Sequence, residues 1–125
     1  MKPSRDLDPS RMDFDLVVLG GGSAGLAGAF RAAAHGARVA LLEPAELGGT
    51  CVNVGCVPKK AMWLAADLAS KIALAADLGF AVPAQAPDRN FLDWKELVAQ
   101  RQRYIAGIHA IYQRMLDEAG IVWMP

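Results

Sequence analysis

Two short apolar runs and two long stretches of helical periodicity divide this chain. FDLVVLG (14–20) is an apolar run that ends in glycine, and ARVALLE (37–43) is a second. Such runs, rich in aliphatic residues, predict buried strands of a parallel sheet. Between them, GGGSAGLAGAFRAAAHG (20–36) predicts a glycine turn that opens an alanine-rich helix, with Gly36 as its stop. Strand, turn, helix and strand in this order make a βαβ unit.

The second half of the chain changes period. Helical spacing runs from about Pro58 to Asp77, followed by a proline-bearing connection, LGFAVPAQAPDRN (78–90). A second long helix is predicted from about Asp93 to Ala119, with Asp93 and Glu96 as a capping box and Gly120 as its end. Apolar residues from Trp94 to Leu116, among them Leu97, Ile105, Ile108 and Tyr112, recur at the spacing of one buried face. Trp63 and Trp94 are expected in the core. IVWMP (121–125) begins like a third strand. The predicted fold is α/β: a partial doubly wound parallel sheet built on a Rossmann-like βαβ unit, with a long two-helix insertion. Residues 1–12 read as a flexible tail and 13–125 as the N-terminal part of a single domain. Two strands and the start of a third leave a sheet edge open, so the chain reads as the N-terminal part of a larger protein, truncated or cut.

Composition narrows the function classes. The chain has 125 residues, 54% of them hydrophobic, and a mean hydropathy of +0.22, which argues against disorder. Thirteen basic and thirteen acidic residues cancel without a basic cluster, so nucleic acid and anionic membranes are poor partners. The polar start, MKPSRDLDPSRM, lacks the apolar core of a secretory signal, and a cytoplasmic location is the default expectation. The most apolar stretch, AMWLAADLASKIALAADLGFAV, is interrupted by Asp67, Ser70, Lys71 and Asp77, which favours a packed helix over a membrane span.

Gly20, Gly22 and Gly25 spell G-x-G-x-x-G after a predicted strand and at the start of a helix, and Glu43 ends the next strand 18 residues beyond Gly25. In this setting the pattern is a dinucleotide fingerprint. Gly20 permits the tight turn, Gly22 lets a pyrophosphate approach the backbone, and Gly25 lets helix and strand pack closely. The helix start offers free N–H groups and a positive dipole end. Glu43 can accept hydrogen bonds from ribose hydroxyls and disfavours a 2′-phosphate, so FAD or NAD suits this site better than NADP.

GGTCVNVGCVPKK (48–60) holds both cysteines of the chain, Cys51 and Cys56. Three readings compete: a zinc site, two inert buried thiols, or a dithiol–disulfide couple. Zinc lacks ligands, since His35 and His109 are isolated. A couple imposes a geometric condition. Residues five apart in a regular α-helix have Cα atoms about 8.7 Å apart, whereas a disulfide needs roughly 4.4–6.8 Å. The helix must therefore be broken between them, and Gly55 can relax the backbone there. Pro58 suits a first helical turn. A helix start with Lys59 and Lys60 nearby stabilises a thiolate.

Together Gly20–Gly25, Glu43 and GGTCVNVGCVPKKAMW resemble the opening of the pyridine nucleotide–disulfide oxidoreductases with a C-x4-C centre. The resemblance spans residues 13–125, and PKK followed by Met-Trp is most similar to the glutathione reductase branch. It implies that NADPH reduces FAD and that FAD reduces the disulfide. Cys56 would face the flavin, Cys51 would attack glutathione disulfide, and Lys59 would lie beside the flavin's reactive nitrogen. Ser23, Ala24, Glu43, Thr50 and Cys51 match FAD-contacting positions, and Ser23 and Tyr112 match substrate-contacting ones. The parent enzyme is expected to be a homodimer. Its NADPH site and acid–base histidine are not visible in this chain, so turnover by these 125 residues alone is not expected. Ala24 replaces a common glycine. Ala27 and Phe30 lie three apart on one helix face. Phe30 stands where some glutathione reductases have an arginine and trypanothione reductases tend to have an aromatic. Ala27 lacks the acid of the latter, so glutathione remains the better substrate expectation. Other readings are a family member with a different substrate, such as a dihydrolipoamide dehydrogenase or mercuric reductase, and a non-catalytic remnant.

Overall fold

A computed structural model describes residues 13–81 and 92–125. The expected tail (1–12) and all but residues 78–81 of the proline-bearing connection lie outside them. The elements run β1 (Leu16–Leu19), α1 (Ser23–Ala34), β2 (Val39–Leu42), α2 (Gly49–Asn53), α3 (Cys56–Asp77), α4 (Trp94–Ala119) and β3 (Val122–Met124). The three strands form one parallel sheet in the order β1-β2-β3. Leu16 pairs with Val39 and Leu19 with Leu42; Ala40 pairs with Val122 and Leu42 with Met124. The α/β fold with its βαβ start and helical insertion matches the sequence reading.

β2 is the central strand, and Val39, Ala40 and Leu41 are fully buried. Leu26 and Ala29 of α1, Val39 and Leu41 of β2, Leu47, Leu116 of α4, and Ile121 form the core. Burying a leucine or valine side chain of this kind contributes about 1.5–3 kcal/mol. The ends of α4 follow the sequence signals. Asp93 accepts a hydrogen bond from the Glu96 N–H at 3.0 Å. Past Gly120, the Ile121 N–H returns to the Leu116 carbonyl at 3.0 Å. That reversal drops Ile121 into the core and aims β3 along β2.

Three expectations are corrected. β1 is an edge strand rather than a buried one: Val17 and Leu19 are exposed, and Val18 is the side chain that packs on the core. Trp63 and Trp94 are exposed, at 62% and 61%. The apolar stripe of α4 is buried only at Ile105 and Leu116, while Trp94, Tyr104, Ile111 and Met115 are exposed. Periodicity shows which residues share a face, not what covers it. α3 likewise exposes Leu64, Leu68 and Leu74, and its Lys71–Asp67 pair at 2.6 Å joins adjacent turns on the surface. Among the described residues no helix is long and apolar enough to cross a membrane.

Candidate functional site

The site begins at the C-terminal end of β1. Gly20 takes a left-handed conformation (φ +96°) and its N–H donates to the Leu42 carbonyl at 2.8 Å. This ties the turn to the neighbouring strand. Gly22 then caps α1 without any side-chain hydrogen bond, and no acidic residue sits in the first turn. The N–H groups that open α1 are therefore available to an anion. A Cβ on Gly22 would meet only the Gly49 Cα, at 3.9 Å. A Cβ on Gly25 would lie 1.9 Å from the Gly20 carbonyl oxygen, so helix and turn approach as closely as a glycine allows. Ser23 and Ala24 are exposed at the mouth of the turn.

Glu43, at the end of β2, reaches back to this turn. Its carboxylate accepts from the Gly21 N–H at 2.8 Å and from the Ala45 N–H at 3.0 Å. The acid expected at a ribose is thus also a brace for the glycine turn. Trp123 of β3 donates its indole N–H to the Glu43 carbonyl at 3.1 Å.

A second glycine turn packs against the first. Gly48 and Gly49 both have positive φ, +101° and +58°. The Gly48 N–H donates to the Gly21 carbonyl at 2.8 Å, and a Cβ on Gly49 would stand 2.8 Å from the Gly22 Cα. Two backbones touch where side chains would hold them apart. α2 starts at this contact, so Thr50 and Cys51 are positioned by the same turn that opens α1.

Cys51 lies in α2 and Cys56 opens α3, and the helix is interrupted at Val54 and Gly55. The break meets the geometric condition for a pair five residues apart. α3 starts at Cys56, two residues before the expected Pro58, and Lys59 makes its first return bond, to the Gly55 carbonyl at 3.0 Å. Both cysteines are free thiols here, Cys51 half-buried and Cys56 exposed. Hydrogen bonding with Cys51 holds the Cys56 thiol below its ordinary pKa, against partial desolvation and with help from the charges of Lys59 and Lys60. The same interaction, then desolvation and the neighbouring Cys56 charge, holds Cys51 above it. As pH rises, the first thiolate should form on Cys56, and iodoacetamide should modify Cys56 before Cys51 in the reduced, flavin-free chain. Lys59→Met removes a cation that favours the thiolate, so the onset of Cys56 modification should move to higher pH. Peptide mapping across a pH series measures both; Cys51 reacting first would refute the assignment.

A family model for pyridine nucleotide-disulphide oxidoreductases matches residues 14–121. This chain belongs to that family. Among curated proteins, it is 47% identical over 111 residues to glutathione reductase of Yarrowia lipolytica, covering 89% of this chain and 23% of that protein. It is 46% identical over 114 residues to glutathione reductase of Schizosaccharomyces pombe, again covering 89% and 23%. Glutathione reductase of Debaryomyces hansenii is 43% identical over 110 residues, covering 86% and 22%. The chain thus spans less than a quarter of the length of these relatives.

In this member of the family the structure gathers most of the residues singled out by sequence. Gly20, Gly22, Ser23, Ala24 and Gly25 share one turn and helix start, which Glu43 braces from the end of β2, and the Gly21–Gly48 contact joins that turn to Thr50 and Cys51. Lys59 stands one helical turn from Cys56. Tyr112 is half-buried and packs on the core, as does Phe30, while Ala27 is exposed. The Phe30 ring thus serves packing. Sequence reasoning missed Asn53, Glu46 and the partners of His109. No local signal could have found them, since α2 was not foreseen and Asn53 and His109 lie 56 residues apart.

Proposed function

We propose that this chain is the FAD-binding, dithiol-bearing part of a disulfide reductase that takes electrons from NADPH and delivers them to glutathione disulfide. The observation that carries the reading is the paired Cys51 and Cys56 thiols, held across a helix break and fixed to the dinucleotide turn through Gly48 and Gly49. The names of the matched relatives support the substrate.

The residues present fit the flavin nucleotide. The uncapped start of α1 and the open side of Gly22 leave room and donors for a pyrophosphate. Ser23, Ala24 and Thr50 are exposed around it, and the Glu43 oxygens keep lone pairs for ribose hydroxyls. Bound FAD supplies the two-electron relay between NADPH and the cysteines. The protein's own part is thiol–disulfide exchange. Cys51, whose pKa is held up, gives its proton to the acid–base histidine expected outside these residues and attacks one sulfur of glutathione disulfide, forming a mixed disulfide and releasing one glutathione. The Cys56 thiolate then attacks the Cys51 sulfur, closing the Cys51–Cys56 disulfide and releasing the second glutathione. Two thiols are oxidised, one disulfide is reduced, and the two thiol protons leave on the two glutathiones. Lys59 favours the Cys56 thiolate, and Tyr112 and Ser23 are the proposed substrate contacts. The same reading carries an NADPH site outside these residues, a homodimer and a cytoplasmic location.

The test is NADPH oxidation by the intact protein with different acceptors. Glutathione disulfide should exceed lipoamide and oxidised trypanothione in kcat/KM by about a hundredfold. An equal or better rate with lipoamide or trypanothione would replace glutathione as the substrate.

A further inference from the structure

His109 lies outside the redox chemistry described above, yet both of its ring nitrogens meet partners. Nε2 is 2.7 Å from Asn53 Oδ1, and Nδ1 is 3.2 Å from Glu46 Oε2. The orientation of Asn53 is fixed by its other contacts. Its Nδ2 faces the carbonyls of Gly49 at 2.9 Å, Glu46 at 3.1 Å and Leu47 at 3.4 Å. The amide nitrogen must therefore be on that side. Oδ1 can only accept, so His109 Nε2 carries a hydrogen and donates to it.

We propose that His109 is a positioning residue for the dithiol: acting through Asn53, it clamps α2 to α4 and so places Cys51 against Cys56. Asn53 is the last residue of α2, two positions after Cys51 and three before Cys56. α2 has five residues, too few to persist without outside support. α4 has 26 residues and is anchored by buried Ile105, one turn before His109. The clamp therefore joins a weak element to a strong one. Of its two contacts, the one with Asn53 is the stronger constraint. The His109 side chain is 21% exposed and that of Glu46 is 70% exposed, so the Glu46 contact is screened by water. An open groove of about 470 Å³, lined by Glu46, Asn53, Ile105 and His109 among others, adjoins the contact. A side chain too short to reach Asn53 would leave its Oδ1 to solvent.

The relevance to redox chemistry rests on the reading of Cys51 and Cys56 given above, but the test does not need turnover, flavin or disulfide reduction. Amide hydrogen exchange of the α2 residues and alkylation rates of each cysteine are measured in the reduced intact protein. His109→Leu should lower α2 protection about tenfold and speed Cys51 alkylation about fivefold, with Cys56 and the α1 amides within about twofold of wild type. His109→Asn, too short to reach Asn53, should behave as His109→Leu does and serves if the leucine variant does not fold. His109→Gln can place an amide N–H near the Nε2 position and should restore both readouts to within about twofold. Glu46→Ala should change either by no more than about twofold. Unchanged α2 protection in both the leucine and asparagine variants would overturn the clamp. So would a glutamine variant as defective as either. Lost protection with an unchanged Cys51 rate would overturn its link to the dithiol.

Discussion

Gly25→Ala should destabilise this chain by about 3 kcal/mol or more. The added Cβ would stand 1.9 Å from the Gly20 carbonyl oxygen, 3.1 Å from the Gly20 carbonyl carbon and 3.2 Å from Val18 Cγ1. Two of these atoms are backbone and cannot swing aside as a side-chain end does. The Gly20 peptide is also tied to Leu42 through its N–H, so moving it pulls on β2, the most buried strand. Gly28→Ala, three residues along the same helix, is the control. A Cβ there meets nothing within 4 Å, and the exchange should stabilise by about 0.5–1 kcal/mol through helix propensity alone. Urea unfolding of the two variants measures the contrast. A Gly25→Ala chain as stable as wild type would mean that α1 and the β1 turn do not approach as described.

Legibility in the sequence followed the range of the interactions. LVVL and VALL read as strands, and the glycines between them as a turn and helix start, because each signal is local. Asp93 and Gly120 marked the ends of α4 for the same reason. The break between Cys51 and Cys56 was legible from covalent reach: a pair meant to touch cannot be five apart on a regular helix. The short helix α2 was not, since Gly-Gly-Thr signals a turn and five residues carry no periodicity. What covers a face was not legible either. Leu41 and Trp94 are both large apolar residues in apolar patterns, yet one is fully buried and the other exposed. The backbone contact between Gly48–Gly49 and Gly21–Gly22 joins segments more than 20 residues apart, as the Asn53–His109 contact joins residues 56 apart. Neither long-range contact leaves a pattern in the chain itself.

Cys51→Ser and Cys56→Ser should each reduce glutathione disulfide turnover by about a thousandfold or more in the intact protein. The reason is stoichiometric. With Cys56 alone remaining or Cys51 alone remaining, one thiol can form a mixed disulfide and release one glutathione, but no second thiol is present to resolve it. A serine hydroxyl is no substitute, because it stays protonated where a thiol ionises. The two losses should be similar in size even though the two thiols differ in exposure and in the direction of their pKa. Substantial NADPH-driven turnover in either variant would show that the pair does not act as one couple.

The central claim is that the dinucleotide turn and the dithiol form a single flavin site in which Cys56 is the thiolate beside the flavin. The visible absorption spectra of the flavin-loaded Cys51→Ser and Cys56→Ser proteins test it most directly. Cys51→Ser leaves Cys56 and Lys59 in place, and should show a long-wavelength charge-transfer band that fades as pH falls and the Cys56 thiolate is protonated. Cys56→Ser should bind flavin and show no such band. A band in Cys56→Ser, or none in either protein despite full flavin loading, would contradict the account.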